Sequence, residues 1–176
     1  MHRHPLGSAK SHLSLPKLMW PFRSTRQIVE QDDSNRVLGD LYDRFCTKNF
    51  DLLVPAVKIV FLLDRFEREV LNGGIDQYLF NSTADLHEET MAALKTVDAM
   101  ETYSALQEVE KWFEGGRLPR DRKTRQAQLA KLNPSEDEGP FDEIETGVTI
   151  RLNASFDAMH KAVVSYFKIH VDDLKK

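Results

Sequence analysis

Residues 69–81 of the chain are EVLNGGIDQYLFN. A segment of helical spacing runs into Asn72-Gly73-Gly74 and resumes at once as a second apolar segment that ends at Asn81. This stretch decides the fold. A loop that cradles phosphate needs either G-x-x-x-x-G-K-[ST] or a strand followed by G-x-G-x-x-G. Here a helix precedes the glycines, no lysine follows them, and the first turn after them carries Asp76 rather than a hydroxyl. The alternative is a corner, in which a glycine in a left-handed conformation stops one helix so that another starts. Asn72 and Asn81 are expected to brace it, because their side chains bond readily to backbone groups. Glu69 is expected to bond backbone groups at the same corner.

Helical spacing extends outward from the corner in both directions, and no convincing strand alternation occurs. Upstream, Pro55 suits a first helical turn, where its missing N–H costs nothing. From there to Asn72, Ile59, Leu63, Phe66 and Val70 recur at helical intervals, and Val60, Phe61 and Leu62 widen the stripe as expected of a central helix. Lys58, Arg65 and Arg68 fall on the other side. Leu38, Leu41 and Phe45 predict an earlier helix over about 35–48. Downstream, Ile75 to Phe80 is long enough for one or two turns. Ser82 with Asp85 resembles a capping box that opens a helix with Leu86, Thr90, Ala93 and Val97 on one face. Tyr103, Leu106, Val109 and Phe113 line a helix over 101–114, which Gly115-Gly116 ends. Pro119 starts another, which Asn133-Pro134 stops. Phe156, Met159, Val163 and Phe167 line a last helix over 153–170. The fold class is therefore all-α, a single-domain bundle of about six to seven helices over residues 30–176.

With 41 % apolar and 30 % charged residues, a chain of 176 residues has the composition of a globular domain with a substantial core. No stretch reaches the roughly 18 apolar residues of a membrane span. The lone cysteine, Cys46, excludes an internal disulfide and suits a reducing compartment, so a cytoplasmic location is expected. Lying beside Phe45 in an apolar register, it is expected to be an inert, half-buried thiol. Charge is distributed unevenly. Residues 1–29 hold five bases (Arg3, Lys10, Lys17, Arg23 and Arg26) and no acid, which leaves 19 basic against 28 acidic residues, a net of −9, in the remainder. Pro16, Lys17 and Pro21 break the leader's apolar stretches, so it is not a signal peptide and is expected to be a disordered tail. Met19 is a second candidate start.

Few residues are grouped for chemistry. His87-Glu88 begins like H-E-x-x-H, but Met91 stands where the second histidine would be, and no metal ligand set is expected. No cofactor and no catalytic group are assigned. Glu88/Glu89 and Glu108/Glu110 are acid pairs, the first suited to a helix N-terminus and the second to a solvated face. A basic segment comprises Arg117, Arg120, Arg122, Lys123, Arg125 and Lys131, opposed by Asp121. With an acidic body and no interleaved aromatic residues it is expected to be a solvated helix, Asp121 pairing with Arg125, and direct nucleic-acid binding is not expected. The opposite charge collects at Glu136, Asp137, Glu138, Asp142, Glu143 and Glu145, with Asp85, Glu88 and Glu89 as candidate additions. Carboxylates one helical turn apart are separated by about 6 Å along the axis. DNA presents charge at comparable intervals, about 3.4 Å of rise per phosphate on each strand.

The corner also carries a resemblance. Glu69, Asn72, Gly73, Gly74, Gln77, Tyr78, Phe80 and Asn81 match an E-x-x-NGG…Q-[YF]-x-[FL]-x-N pattern, with Ile75 where phenylalanine is usual. A second block, WFEGGRLPRDRKTRQAQL, is similar at Phe113, Gly115, Pro119, Asp121, Arg125 and Leu129, and the ending SYFKIH is similar too. Over roughly residues 35–172 the chain thus resembles the small all-helical family named after a bacterial DNA-mimic protein. The resemblance implies an all-α fold, no known catalytic activity and no cofactor. For the named member it implies a dimer whose acidic surface imitates DNA and occupies a DNA-binding protein. The matched residues look architectural.

The expected function is a non-enzymatic protein-binding module, with a DNA-binding regulator as its partner and a homodimer as its candidate assembly. An interaction protein with mainly apolar, immunity-like contacts is the alternative. An enzyme is the third option, for which Asp64, Glu67, Glu69 and Gln77 around the corner form the cluster to inspect.

Overall fold

The computed structural model describes residues 40–43, 50–132 and 140–170. The basic leader, Cys46, most of the helix expected over 35–48, and Glu136, Asp137 and Glu138 lie outside the described residues. Among those described there are helices and turns and no strand. The α-helices are α1 (Pro55–Phe80), α2 (His87–Thr96), α3 (Met100–Glu110), α4 (Arg122–Leu132) and α5 (Pro140–His170). Short 3-10 turns at Phe50–Leu52, Ser82–Leu86 and Glu114–Gly116 link them, and residues 40–43 are also helical.

α1 is the centre of the bundle, in contact with α2, α4 and α5, while α3 packs on α2 and α5. Its stripe is buried as the spacing requires, Ile59, Leu63, Phe66 and Val70 all lying in the core with Val60 and Leu62. Three pairings show that α1 and α5 run antiparallel. Phe66 meets Phe156 edge to face, Glu67 meets His160, and Ile75 meets Thr149. The positive side of α1 is not bare either. Lys58 and Arg68 lie over the rings of Phe50 and Tyr42, which precede α1, and Arg65 lies over Phe61 of α1 itself.

Several boundaries differ from those expected, each for a local reason. α1 runs from Pro55 to Phe80 with Gly73 and Gly74 as non-helical residues inside it, so the corner is an interruption within one long element. Ser82 and Asp85 do not form a capping box. That segment is a 3-10 turn, and the Asp85 carboxylate turns outward to Arg122 and Arg125. α4 starts at Arg122 rather than Pro119, because Asp121 is its cap. One carboxylate oxygen accepts both the backbone N–H and the hydroxyl of Thr124, at 2.8 and 2.7 Å. α5 starts at Pro140 rather than near 153. Proline is well suited to a first helical position, and Asp142 and Glu143 in the first turn favour the positive end of the helix dipole.

Gly74 has φ 74° and ψ −173°, a conformation that glycine alone adopts without strain. A Cβ there would also lie 3.1 Å from both Glu145 Oε1 and Thr149 Oγ1. Gly147, in the interior of α5, faces open space instead. In urea denaturation Gly74→Ala should lower stability by about 2–3 kcal/mol. Gly147→Ala should raise it by up to about 1 kcal/mol, because alanine removes glycine's entropic cost in a helix.

Candidate protein-binding face

Interrupting α1 creates an N-terminus at Ile75 whose N–H groups have no partner in the preceding turn. α5 supplies an acceptor, for Thr149 Oγ1 accepts the Ile75 N–H at 3.0 Å. Glu69 ties the two halves of α1 together from the other side. It accepts from Gln77 Nε2 at 2.8 Å, Asn81 Nδ2 at 2.9 Å and Thr83 Oγ1 at 2.8 Å. Burial opposes its ionisation, but these three donors outweigh burial and hold the carboxyl below its ordinary range. Its partners are thus side chains, not the backbone groups expected. Asn81 braces the corner as expected, whereas Asn72 is exposed and takes no part in this network.

Arg125 fastens the other end of the resumed helix. Its side chain is fully buried, and all five guanidinium protons have acceptors. Nε donates to the Leu79 carbonyl, Nη1 to those of Pro119 and Arg120, and Nη2 to the Asn81 carbonyl and to Asp85 Oδ1. Gln126 Nε2 donates to the Phe80 carbonyl at 2.9 Å. The last carbonyls of α1 are therefore capped by α4. The pairing expected between Asp121 and Arg125 is replaced by Arg125–Asp85 at 2.7 Å, since Asp121 is occupied as a helix cap.

Charge sorts onto two faces. On the first, the basic segment and three candidate acids meet one another. Arg117 pairs with Glu88 at 2.6 Å, Arg120 with Glu89 at 2.8 Å, and Arg122 and Arg125 with Asp85 at 3.1 and 2.7 Å. Despite partial burial the Asp85 carboxyl is held low by its two arginines. Lys131 pairs with Glu114 at 3.2 Å. The structure thus places Asp85, Glu88 and Glu89 in a charge-matched layer, apart from the acids of α5.

The second face lies at the break. Asp142, Glu143 and Glu145 occupy the first turns of α5, and Asp76 joins them from α1. Burial first and then the Asp142 charge push the Asp76 carboxyl up. Burial, Asp76 and Asp142 likewise push Glu145 up, against the lowering effect of its bonds to the Asp76 N–H and Thr149. No base contributes to either shift. Asp76 was not among the acids singled out from sequence. Its one signal was its place immediately after the glycines, where the break turns it toward α5. Leu71, Ile144 and Ile150 add exposed apolar surface on these same two helices.

The cluster considered for catalysis does not assemble. Asp64 forms a two-bond pair with Arg68, Glu67 bonds His160 at 2.8 Å, and Glu69 and Gln77 bond each other. A further buried network, Tyr78 with His87 at 3.1 Å and His87 with Glu110 at 3.3 Å, joins α1, α2 and α3 inside the core. The bond from His87 keeps Glu110 low, and burial pushes the Tyr78 phenol up. A shallow groove of about 330 Å³ lies elsewhere, between α3 and α5, where Glu108 and Arg151 on its rim pair at 2.8 Å. Among the described residues no group of three His, Cys, Asp or Glu is arranged to hold a metal ion, and no helix is long and apolar enough to cross a membrane.

The chain is thus an all-α bundle built on an interrupted central helix, with the arginines before and within α4 matched to the acids beside them. The family model of DMP19-like proteins matches residues 51–168, and the chain belongs to that family. No curated protein and no solved structure matches the chain.

Two substitutions test the electrostatics. Arg125→Lys leaves at least two buried acceptors without donors, and should cost about 2–4 kcal/mol in urea denaturation. Asp76 and Glu145 have raised folded-state pKa values, so each binds its proton more tightly folded than unfolded. Their ionisation at neutral pH costs stability, and the cost is relieved as the pH falls through those raised values. Asp76→Asn should therefore raise the Tm at pH 7. The gain should shrink on acidification, as the wild-type carboxyls take up protons.

Proposed function

We propose that the chain is a non-enzymatic, cytoplasmic DNA mimic whose acidic face occupies the cationic surface of a DNA-binding protein. The face comprises Asp76, Asp142, Glu143 and Glu145 and continues along the sequence into Glu136, Asp137 and Glu138. Membership of a family named after a DNA-mimic protein supports this assignment. The observation that carries it is the division of the acids, Asp85, Glu88 and Glu89 being paired with arginines while Asp76 meets the acidic first turns of α5 with no base among the groups that shift its carboxyl. Carboxylates gathered on one face retain a field that a cationic protein can meet, and such a field steers association and sets partner choice. Asp85, Glu88 and Glu89 serve the fold in this proposal, because their arginines already neutralise them.

The exposed apolar residues Leu71, Ile144 and Ile150 favour a second binding mode, in which apolar contacts dominate. Salt separates the two, because electrostatic association weakens as the screening length shortens from about 10 Å at 0.1 M toward about 3 Å at 1 M. Immobilised protein should retain a DNA-binding protein from a lysate of the source cell at low salt. It should release that protein to high salt and to competing duplex DNA. The variant with Asn or Gln at Asp76, Asp142, Glu143 and Glu145 should not retain it. A partner kept through both salt and neutralisation would refute the mimic and transfer the assignment to the apolar contacts.

A further inference from the structure

The helices are held to the bundle by different means. α5 buries Leu152, Phe156, Met159, Val163 and Phe167, whereas α4 buries one apolar side chain, Leu129, beside the guanidinium of Arg125. Leu118, in the segment leading into α4, is buried, and Leu132 at its end is half-buried. The rest of the attachment is polar. Arg125 and Gln126 bond carbonyls at the end of α1, and Arg117, Arg120 and Arg122 pair with Glu88, Glu89 and Asp85 through largely exposed side chains. When a helix comes away, its hydrogen bonds to protein are exchanged for bonds to water, so their net contribution is modest, and exposed ion pairs add little. Buried apolar area has no such replacement. By that measure α4 is the most weakly held of the α-helices.

Its connections suit movement. Phe113 is buried after the end of α3, and Gly115 and Gly116 follow with φ 75° and 68°, exposed and with nothing within 4 Å of where a Cβ would stand. Glycines so placed can absorb the large changes of φ and ψ that a hinge requires. Across them, Glu114 meets α4 through exposed groups, its N–H donating to Gln128 Oε1 at 3.0 Å and its carboxylate pairing with Lys131 at 3.2 Å. Arg125 and Leu129 lie one turn apart on one face of α4, so withdrawing either withdraws the other. We infer that residues 117–132 form a flap, hinged at Gly115-Gly116, that opens as one unit from a bundle in which α1, α2, α3 and α5 stay packed. Closed, its arginines neutralise Asp85, Glu88 and Glu89. Open, water takes the place of Arg125 at the carbonyls of Leu79 and Asn81, and the two charged strips lose their partners. The flap thus governs how much charge this side of the chain presents. It shares no residue with the proposed acidic face and does not depend on it.

The test is backbone amide exchange followed by NMR on the full chain, in rising but sub-denaturing urea. Gln128, Leu129 and Ala130 in α4 should exchange at one common opening equilibrium with a shared urea dependence. That exchange should be about a hundredfold or more faster than at Val60 in α1 or Phe156 in α5, as expected of a unit that opens below global unfolding. Val163→Ala distinguishes the two openings, because Val163 stays buried when the flap opens and is exposed when the bundle unfolds. It should speed exchange at Val60 and Phe156 by about tenfold or more and leave the three α4 amides unchanged. Equal exchange in α1, α4 and α5 of the unmodified chain would overturn the flap without recourse to the variant. So would α4 amides that speed under Val163→Ala as much as Val60 does, since α4 would then be released only with the whole bundle. Rates that differ along α4 and do not respond to urea would show fraying of single residues and overturn it as well.

Discussion

A single interruption in one helix sets the terms for the rest of the structure. Backbone N–H and C=O groups removed from water need partners, and an interrupted helix produces a new set of them at each end. At Gly74 the chain leaves helical geometry in a conformation that other residues do not tolerate, then resumes for only 75–80. So short a helix is not stable alone in water. It persists because α5 supplies an acceptor to its N-terminus, α4 supplies donors to its C-terminus, and Glu69 binds it back to the first half of α1. The interruption therefore turns α1 from a rod into the piece that fixes where α4 and α5 sit. Arg125 is buried because it is needed at that place, and its five hydrogen bonds are what make burial of a charge tolerable.

The charge distribution follows from the same arrangement. With α4 held against the end of α1, the arginines preceding and opening it fall beside the acids of Ser82–Leu86 and α2, and the two strips neutralise each other. Exposed pairs of this kind contribute little each, so their main consequence is that neither strip presents a strong field. At the other end of 75–80, the chain places Asp76 against the first turns of α5. There the neighbouring carboxylates oppose the ionisation of Asp76 and Glu145. Helix packing does not require the acids to be together.

Much of the fold was legible in the sequence, and the site was legible only in part, for reasons specific to particular residues. The buried stripes of α1, α3 and α5 follow from apolar spacing, and the corner follows from two adjacent glycines, because both depend on local geometry. The starts of α4 and α5 were misplaced by residues with two uses. Pro119 and Pro140 are equally suited to opening a helix, yet Asp121 captures Thr124 and delays the first, while the acids after Pro140 suit the helix N-terminus that forms there. Arg125 and Asp85 lie 40 residues apart in sequence, and nothing in either neighbourhood announces their meeting. Asp121, four residues before Arg125, offered a local partner that the fold used otherwise. Asp76 and Thr149 were missed for the same reason, since their roles exist only once α5 crosses the interruption.

This division bears on how far membership of the family can be carried. Glu69, Gln77 and Asn81 form one hydrogen-bonded group, Tyr78 is sealed in the core against His87, and Gly74 makes the turn that assembles them. Most residues of the E-x-x-NGG…Q-[YF] pattern thus build the interrupted helix. Around the interruption the acids Asp76, Asp142, Glu143 and Glu145 can change without disturbing Glu69 or Arg125, so the surface can diverge while the scaffold persists.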